Sequence, residues 1–101
     1  MNAREMRKFQ VSINFFMDDG FMDLIPAHRT LVDRLIRQGV IDSYVVTMES
    51  LRAWITFTEA SKKAVERHLR ESPLFRYWSY EIEEVFVVDG PYYRLPALQL
   101  N

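Results

Sequence analysis

Residues 41–58 read IDSYVVTMESLRAWITFT. In the second half Ala53, Ile55 and Phe57 alternate with Arg52, Trp54 and Thr56, the period of two that a half-buried strand imposes. In the first half Tyr44 to Met48 reads as another strand. Glu49-Ser50 is the expected turn, although it lacks the glycine that a tight hairpin prefers. Two strands therefore follow one another directly in the middle of the chain.

Upstream, KFQVSINF (8–15) also alternates: Phe9, Val11, Ile13 and Phe15 point one way and Lys8, Gln10, Ser12 and Asn14 the other. A turn signal, MDDG, follows. In FMDLIPAHRTLVDRLIRQG (21–39), Leu24, Ile25, His28, Leu31, Val32, Leu35 and Ile36 recur at helical spacing. Pro26 suits the first turn of that helix, and Gly39 is its natural stop. Arg29, Asp33 and Arg37 stand four apart on the outer face, a solvated charge ladder. Downstream, TEASKKAVERHLRES (58–72) reads as a second helix with Thr58 or Ser61 as N-cap and Ala64, Val65, His68 and Leu69 inward. Pro73 ends it. YEIEEVFVV (80–88) is a fourth strand, with a bulge expected at Glu83-Glu84 where the alternation breaks.

The order strand, helix, strand, strand, helix, strand gives a ferredoxin-like α+β fold: a four-stranded antiparallel sheet with both helices on one face. Residues 1–101 read as one such domain, with a core at about 8–88 and a C-terminal tail at 89–101. That tail carries Tyr92, Tyr93, Leu95, Leu98 and Leu100, too apolar to be solvated, and is expected to pack on a neighbouring subunit. The bare sheet face, with Trp54 on it, is likewise expected to find a partner.

Composition narrows the function. At 49% hydrophobic the chain buries a real core, and its net charge of −1 provides no basic surface for nucleic acid. Without cysteine, thiol catalysis, zinc-thiolate sites and disulfides are excluded. His28 and His68 do not form a metal-spacing motif, so no metal is expected. The charged start has no apolar signal region, and no apolar run reaches the length of a membrane helix. These features point to a soluble, cytoplasmic protein with no membrane partner.

SPLFRYWSYEIEEV (72–85) gathers Phe75, Tyr77, Trp78 and Tyr80 within six residues. These rings are either core and interface filler or the wall of a pocket, and the polar tips of Tyr77, Trp78 and Tyr80 suit a rim. His28, on the apolar stripe, is either a satisfied core histidine or an acid–base group. Glu81 and Glu83 share one face of the last strand, either solvated or as proton acceptors in a cleft.

PAHRTLVDRLIRQGVI (26–41) resembles the first helix of YciI-like proteins. SPLFRYWSYEIEEV resembles the end of muconolactone isomerases, where a PLF-x-Y motif leads into the last strand. Both families belong to the dimeric α/β-barrel superfamily, and the resemblance spans about Phe9 to Val88. It implies a homodimer or higher homo-oligomer packed sheet against sheet, with a small-molecule ligand between sheet and helices. His28 falls on the YciI-type histidine, which implies a catalytic acid–base role. Arg37-Gln38 and Ser72 stand where relatives often carry the partnering acid. Phe75 and Tyr77 fall on the PLF-x-Y positions that help close the isomerase pocket.

The expectation is a cofactor-free enzyme transferring a proton on a small acid or lactone. His28 would be the acid–base group, titrating near neutral pH. Ser12, Asn14 and Tyr44 would orient the substrate, and Trp54, Phe75 and Tyr77 would close the pocket. One alternative is a non-catalytic ligand-binding or oligomerisation module of the same fold. Another is a cofactor-independent monooxygenase, since some relatives of that kind use an asparagine on strand one, where Asn14 stands.

Overall fold

The computed structural model describes residues 5–87 and, beyond them, only the backbone of Asp89–Gly90 and Tyr93–Arg94, which pair antiparallel. The tail side chains, and with them the expected packing on a neighbour, lie outside the described residues.

The first strand, β1 (Arg7–Phe15), forms as its alternation requires, burying Phe9, Val11 and Ile13. A 3-10 turn at Met22–Leu24 leads into α1 (Ile25–Arg37), which has Pro26 in its first turn. The buried stripe of α1 is His28, Leu31, Val32 and Leu35, whereas Ile36 is exposed. Gly39 closes the helix at φ +77°, in the left-handed region that glycine enters without a Cβ penalty. The Gly39 amide bonds the Ile36 carbonyl and the Val40 amide bonds the Leu35 carbonyl, the double bond of a Schellman cap.

The central segment pairs as expected. β2 (Ile41–Thr47) and β3 (Arg52–Glu59) are antiparallel neighbours. The connection is residues 48–51, wider than Glu49-Ser50, and the positive φ falls on Leu51 at 54°. A non-glycine therefore holds the conformation that a shorter turn assigns to glycine. The Leu51 carbonyl accepts the Phe15 amide at 3.0 Å, which ties the hairpin end to β1.

Ser61, not Thr58, caps α2 (Lys62–Arg70): its hydroxyl accepts the Ala64 amide at 3.1 Å, satisfying one orphan donor. Thr58 lies in β3 and donates to Asp42. A second 3-10 turn, Phe75–Tyr77, precedes β4 (Trp78–Glu84). This strand starts two residues earlier than the sequence suggests and ends sooner. It pairs without a break with β1 from Phe15↔Trp78 to Phe9↔Glu84, so no bulge forms at Glu83-Glu84. The alternation broke there because the strand ends there.

The sheet order is β2-β3-β1-β4, all antiparallel. Leu31, Val32 and Leu35 of α1 and Val65 and Leu69 of α2 share one core with Phe9, Val11, Ile13, Ala53, Ile55 and Phe57. Both helices thus cover one face. Fully burying a valine, leucine, isoleucine or phenylalanine side chain in such a core contributes about 1.5–3 kcal/mol. A smaller cluster of Phe21, Leu74 and Tyr77 sits beside it. The other face carries Ser12, Asn14, Arg52, Trp54, Ser79 and Glu81.

Candidate functional site

A change of phase in β2 builds the site. Unbroken alternation from Ile41 would turn Ser43 and Val45 toward the helices. The register instead shifts between Ile41 and Ser43, so that Tyr44 pairs with Ile55 and Val46 with Ala53, whose side chains face inward. Bulges re-aim side chains, and this one turns Tyr44 toward α1. Asp42, the extra residue, faces the open side, where Lys8 and Thr58 bond it.

His28 meets Tyr44 from α1. Only 2% of His28 is exposed, so its ring must be satisfied within the protein. Its Nε2 lies 2.7 Å from Tyr44 Oη and its Nδ1 2.8 Å from Ser72 Oγ. Ser72, just past α2, also accepts the Leu74 amide at 3.0 Å. Trp78, at the start of β4, stands edge-on to the imidazole with ring centroids 5.8 Å apart. Three separate elements thus fix one ring.

Beside this pair lies a cavity of about 370 Å³ between α1 and the sheet. Phe15, Phe21, Leu74 and Trp78 form its aromatic and aliphatic floor, while Met22, Val46 and Met48 line it and are themselves exposed. Its polar lining comes from His28, Tyr44 and Arg29. The size falls in the usual range for small-molecule sites, and such sites are mostly apolar with a few placed polar groups.

Burial, and then the Arg29 charge, lowers the His28 pKa from 6.5 to about 4, because both disfavour the imidazolium. An acid–base role near neutral pH needs an imidazole that titrates there; this one stays neutral. Burial also raises the Tyr44 pKa, with Arg29 acting against it. The Arg29 guanidinium lies 5.6 Å from the centroid of the Tyr44 ring and pairs with Asp33 at 3.1 Å. The arrangement presents a neutral imidazole with both nitrogens engaged, a phenol joined to it, and a cation alongside.

Of the residues singled out from sequence, His28 and Tyr44 come together here. Ser12 and Asn14 do not, because they lie on the far face of the sheet, in a separate polar cleft with Arg52, Ser79 and Glu81. Trp54 is on that far face too, beneath the Arg52 guanidinium at 4.9 Å. Phe75 packs against Trp78 and Tyr80 without lining the cavity. Tyr77 is buried behind the floor with Phe21 and Leu74. Its hydroxyl bonds Asp18 at 2.7 Å and Arg76 at 2.6 Å. Of the four rings in 75–80, Trp78 alone lines the cavity, and the Tyr80 hydroxyl bonds Glu66 of α2. Ser72, which stands where the resemblance implies a partnering acid, meets His28 with a hydroxyl instead.

Among the described residues no group of three His, Asp or Glu side chains gathers as a metal site, and no helix is long and apolar enough to cross a membrane. His68 bonds Glu59 at 2.8 Å and stacks on Phe57, away from the cavity.

No family model matches the chain, and no curated protein matches it. Solved structures do. Muconolactone isomerase superposes with a TM-score of 0.69 at 20% identity, over 85% of this chain and 95% of that one. PA3566 from Pseudomonas aeruginosa gives 0.50 at 12% identity, over 87% and 100%. SO0527 from Shewanella oneidensis gives 0.48 at 14%, over 82% and 91%. The likeness is one of fold: this chain has the ferredoxin-like α+β architecture of muconolactone isomerase.

Proposed function

We propose that this chain acts on a small organic acid or lactone, transferring a proton without a metal or cofactor, in the cavity between α1 and the sheet. The observation that carries this reading is the His28–Tyr44 pair, bonded at 2.7 Å in the wall of an otherwise largely apolar cavity. A proton-transfer group must lie within hydrogen-bond reach of its target in a site that excludes water. Arg29 supplies a positive charge for a carboxylate. The fold shared with muconolactone isomerase fits this reading by analogy alone.

A second reading, a non-catalytic binding module, is favoured by one specific observation. Both His28 nitrogens are already engaged, and the ring is held neutral to about pH 4. Incubation with small lactones and unsaturated carboxylic acids in heavy water separates the two. The enzyme reading expects deuterium uptake at carbon or isomerisation, lost in Tyr44→Phe and His28→Gln with circular dichroism unchanged. Ligand-induced NMR shifts without exchange would leave the binding module. Neither shifts nor exchange would defeat both. A monooxygenase draws no support from this cavity, because Asn14 faces the other side of the sheet.

The open sheet face is proposed to pack against a second copy. Trp54 and Val45 lie on it among polar groups, and the buried Arg52 Nε has no hydrogen-bond partner among the described residues, an incompleteness that a partner surface would repair. Sedimentation velocity is expected to give a dimer that Trp54→Glu dissociates. A monomeric wild type would rule it out.

A further inference from the structure

The hydrogen-bond chain Ser72–His28–Tyr44 has a direction, set by which protons have an acceptor. The Ser72 oxygen already accepts the Leu74 amide, and Ser72 is only 5% exposed. Among the described residues its hydroxyl proton has one acceptor, His28 Nδ1 at 2.8 Å. An imidazole protonated on Nδ1 would leave the proton of that buried hydroxyl without an acceptor, at the desolvation cost of an unmade bond. Ser72 therefore donates to Nδ1. A neutral imidazole then carries its proton on Nε2 and donates it to Tyr44 Oη. The Tyr44 oxygen is thus an acceptor, and its own proton has no acceptor among the described residues. Its side chain lines the cavity.

We propose that Tyr44 is the hydrogen-bond donor through which the cavity binds a carbonyl or carboxylate oxygen of its ligand, with Ser72 and His28 as positioning residues that aim the chain outward. This rests on the small-molecule reading above and sharpens it to a ligand with an oxygen acceptor. Each bond in the chain polarises the next, so the phenol is a stronger donor than it would be alone. The apolar surroundings strengthen it further, as with donors aimed at developing oxyanions in acyl and enol chemistry. A carboxylate at residue 72 would do the reverse: it would accept from Nδ1–H, leave a lone pair on Nε2, and draw the Tyr44 proton inward. Because burial keeps the ring neutral down to about pH 4, the outward direction holds across the working range.

Two measurements on the full chain test this. Nitrogen-15 NMR of the histidine rings, assigned with His28→Gln, is expected to find the His28 proton on Nε2 in the wild type and in Ser72→Thr. Ser72→Ala is expected to populate both tautomers. A wild-type proton on Nδ1 overturns the direction. The second measurement uses acetophenone and α-methylstyrene, which share a shape but differ in a carbonyl oxygen against a methylene. Tyr44→Phe is expected to weaken acetophenone by about tenfold, raise the frequency of its bound carbonyl infrared band, and leave α-methylstyrene unchanged. Equal effects on both probes, or none on acetophenone, overturn the assignment of Tyr44. Binding of α-methylstyrene alone also overturns it but leaves the small-molecule reading standing. Binding of neither probe to the wild type defeats that reading and this one together.

Discussion

Urea unfolding of the wild-type chain is expected to show a stability about 2 kcal/mol lower at pH 5 than at pH 7, and His28→Gln to remove most of that difference. The cause is the buried ring. His28 has a pKa of about 4 in the folded chain against an ordinary 6.5, so in this range the unfolded chain binds the proton more readily. Stability rises with pH wherever the unfolded state holds more protons. The contribution of His28 is therefore complete above the unfolded value and is lost as pH falls through 6.5 toward 4. Its full size is about 3 kcal/mol, from roughly two and a half units at 1.36 kcal/mol each. Asp18 and Glu66 also have lowered pKa values, from hydrogen bonds donated by Tyr77 and Tyr80. Their contributions are lost mainly below the ordinary carboxylate range, under the window of interest. His28→Gln should be less stable than wild type at pH 7, since an amide cannot reproduce both ring bonds, yet flatter between pH 7 and 5. A wild type that is equally flat, with an unchanged urea slope, would mean that the ring is reached by water and the site is open.

That outcome also bears on mechanism. A histidine that charges only with loss of stability cannot serve as a neutral-pH acid by itself. It can hold and polarise a phenol, which is the role the Ser72–His28–Tyr44 bonds suit. The sequence places His28 on an apolar stripe, and the same burial that made a core role plausible is what makes its hydrogen bonds strong.

Much of the architecture was legible because the patterns were clean. β1 and β3 alternate without error, and Gly39 marks the end of α1 by a backbone requirement that few other residues meet. The phase of β2 was not legible. IDSYVVT has apolar residues in both registers, Ile41 and Val45 in one and Tyr44 and Val46 in the other, so periodicity does not choose between them. The bulge that decides is set by pairing with β3 and by the Asp42 bonds to Lys8 and Thr58. Ser12 and Asn14 were assigned to the outer side of β1, and that side was right. They line a polar cleft on that open face, apart from the cavity on the helix side. Ser72 illustrates a different gap. The resemblance marks position 72 as the place of a partnering acid, but no local pattern shows that a serine there still bonds His28, because that bond exists only once α2 has packed beside α1.

Tyr77→Ala is expected to lower the thermal midpoint by roughly 15 °C or more, whereas Tyr77→Phe should lower it far less and leave ligand binding in the cavity intact. The resemblance to a PLF-x-Y motif implies that Tyr77 closes a pocket; the structure makes it a strut. It is 1% exposed, and its ring meets Phe21 edge-on at 5.0 Å and Phe16 at 5.0 Å. Truncation to alanine removes an aromatic from the middle of the small Phe21–Leu74 cluster, a substitution among the costliest in a core. Phe21 and Leu74 are also cavity wall, so their collapse should abolish binding along with stability. Tyr77→Phe keeps the ring and removes only the hydroxyl, which joins the Asp18 carboxylate to Arg76. Asp18 also accepts the Gly20 amide at 2.9 Å, so the loop before Phe21 keeps one of its ties. A pocket-closing tyrosine would behave the other way: Tyr77→Phe would alter ligand affinity at nearly constant thermal stability. Measuring midpoint and affinity together on the two variants separates strut from lid, because only a strut makes binding follow the ring and ignore the hydroxyl.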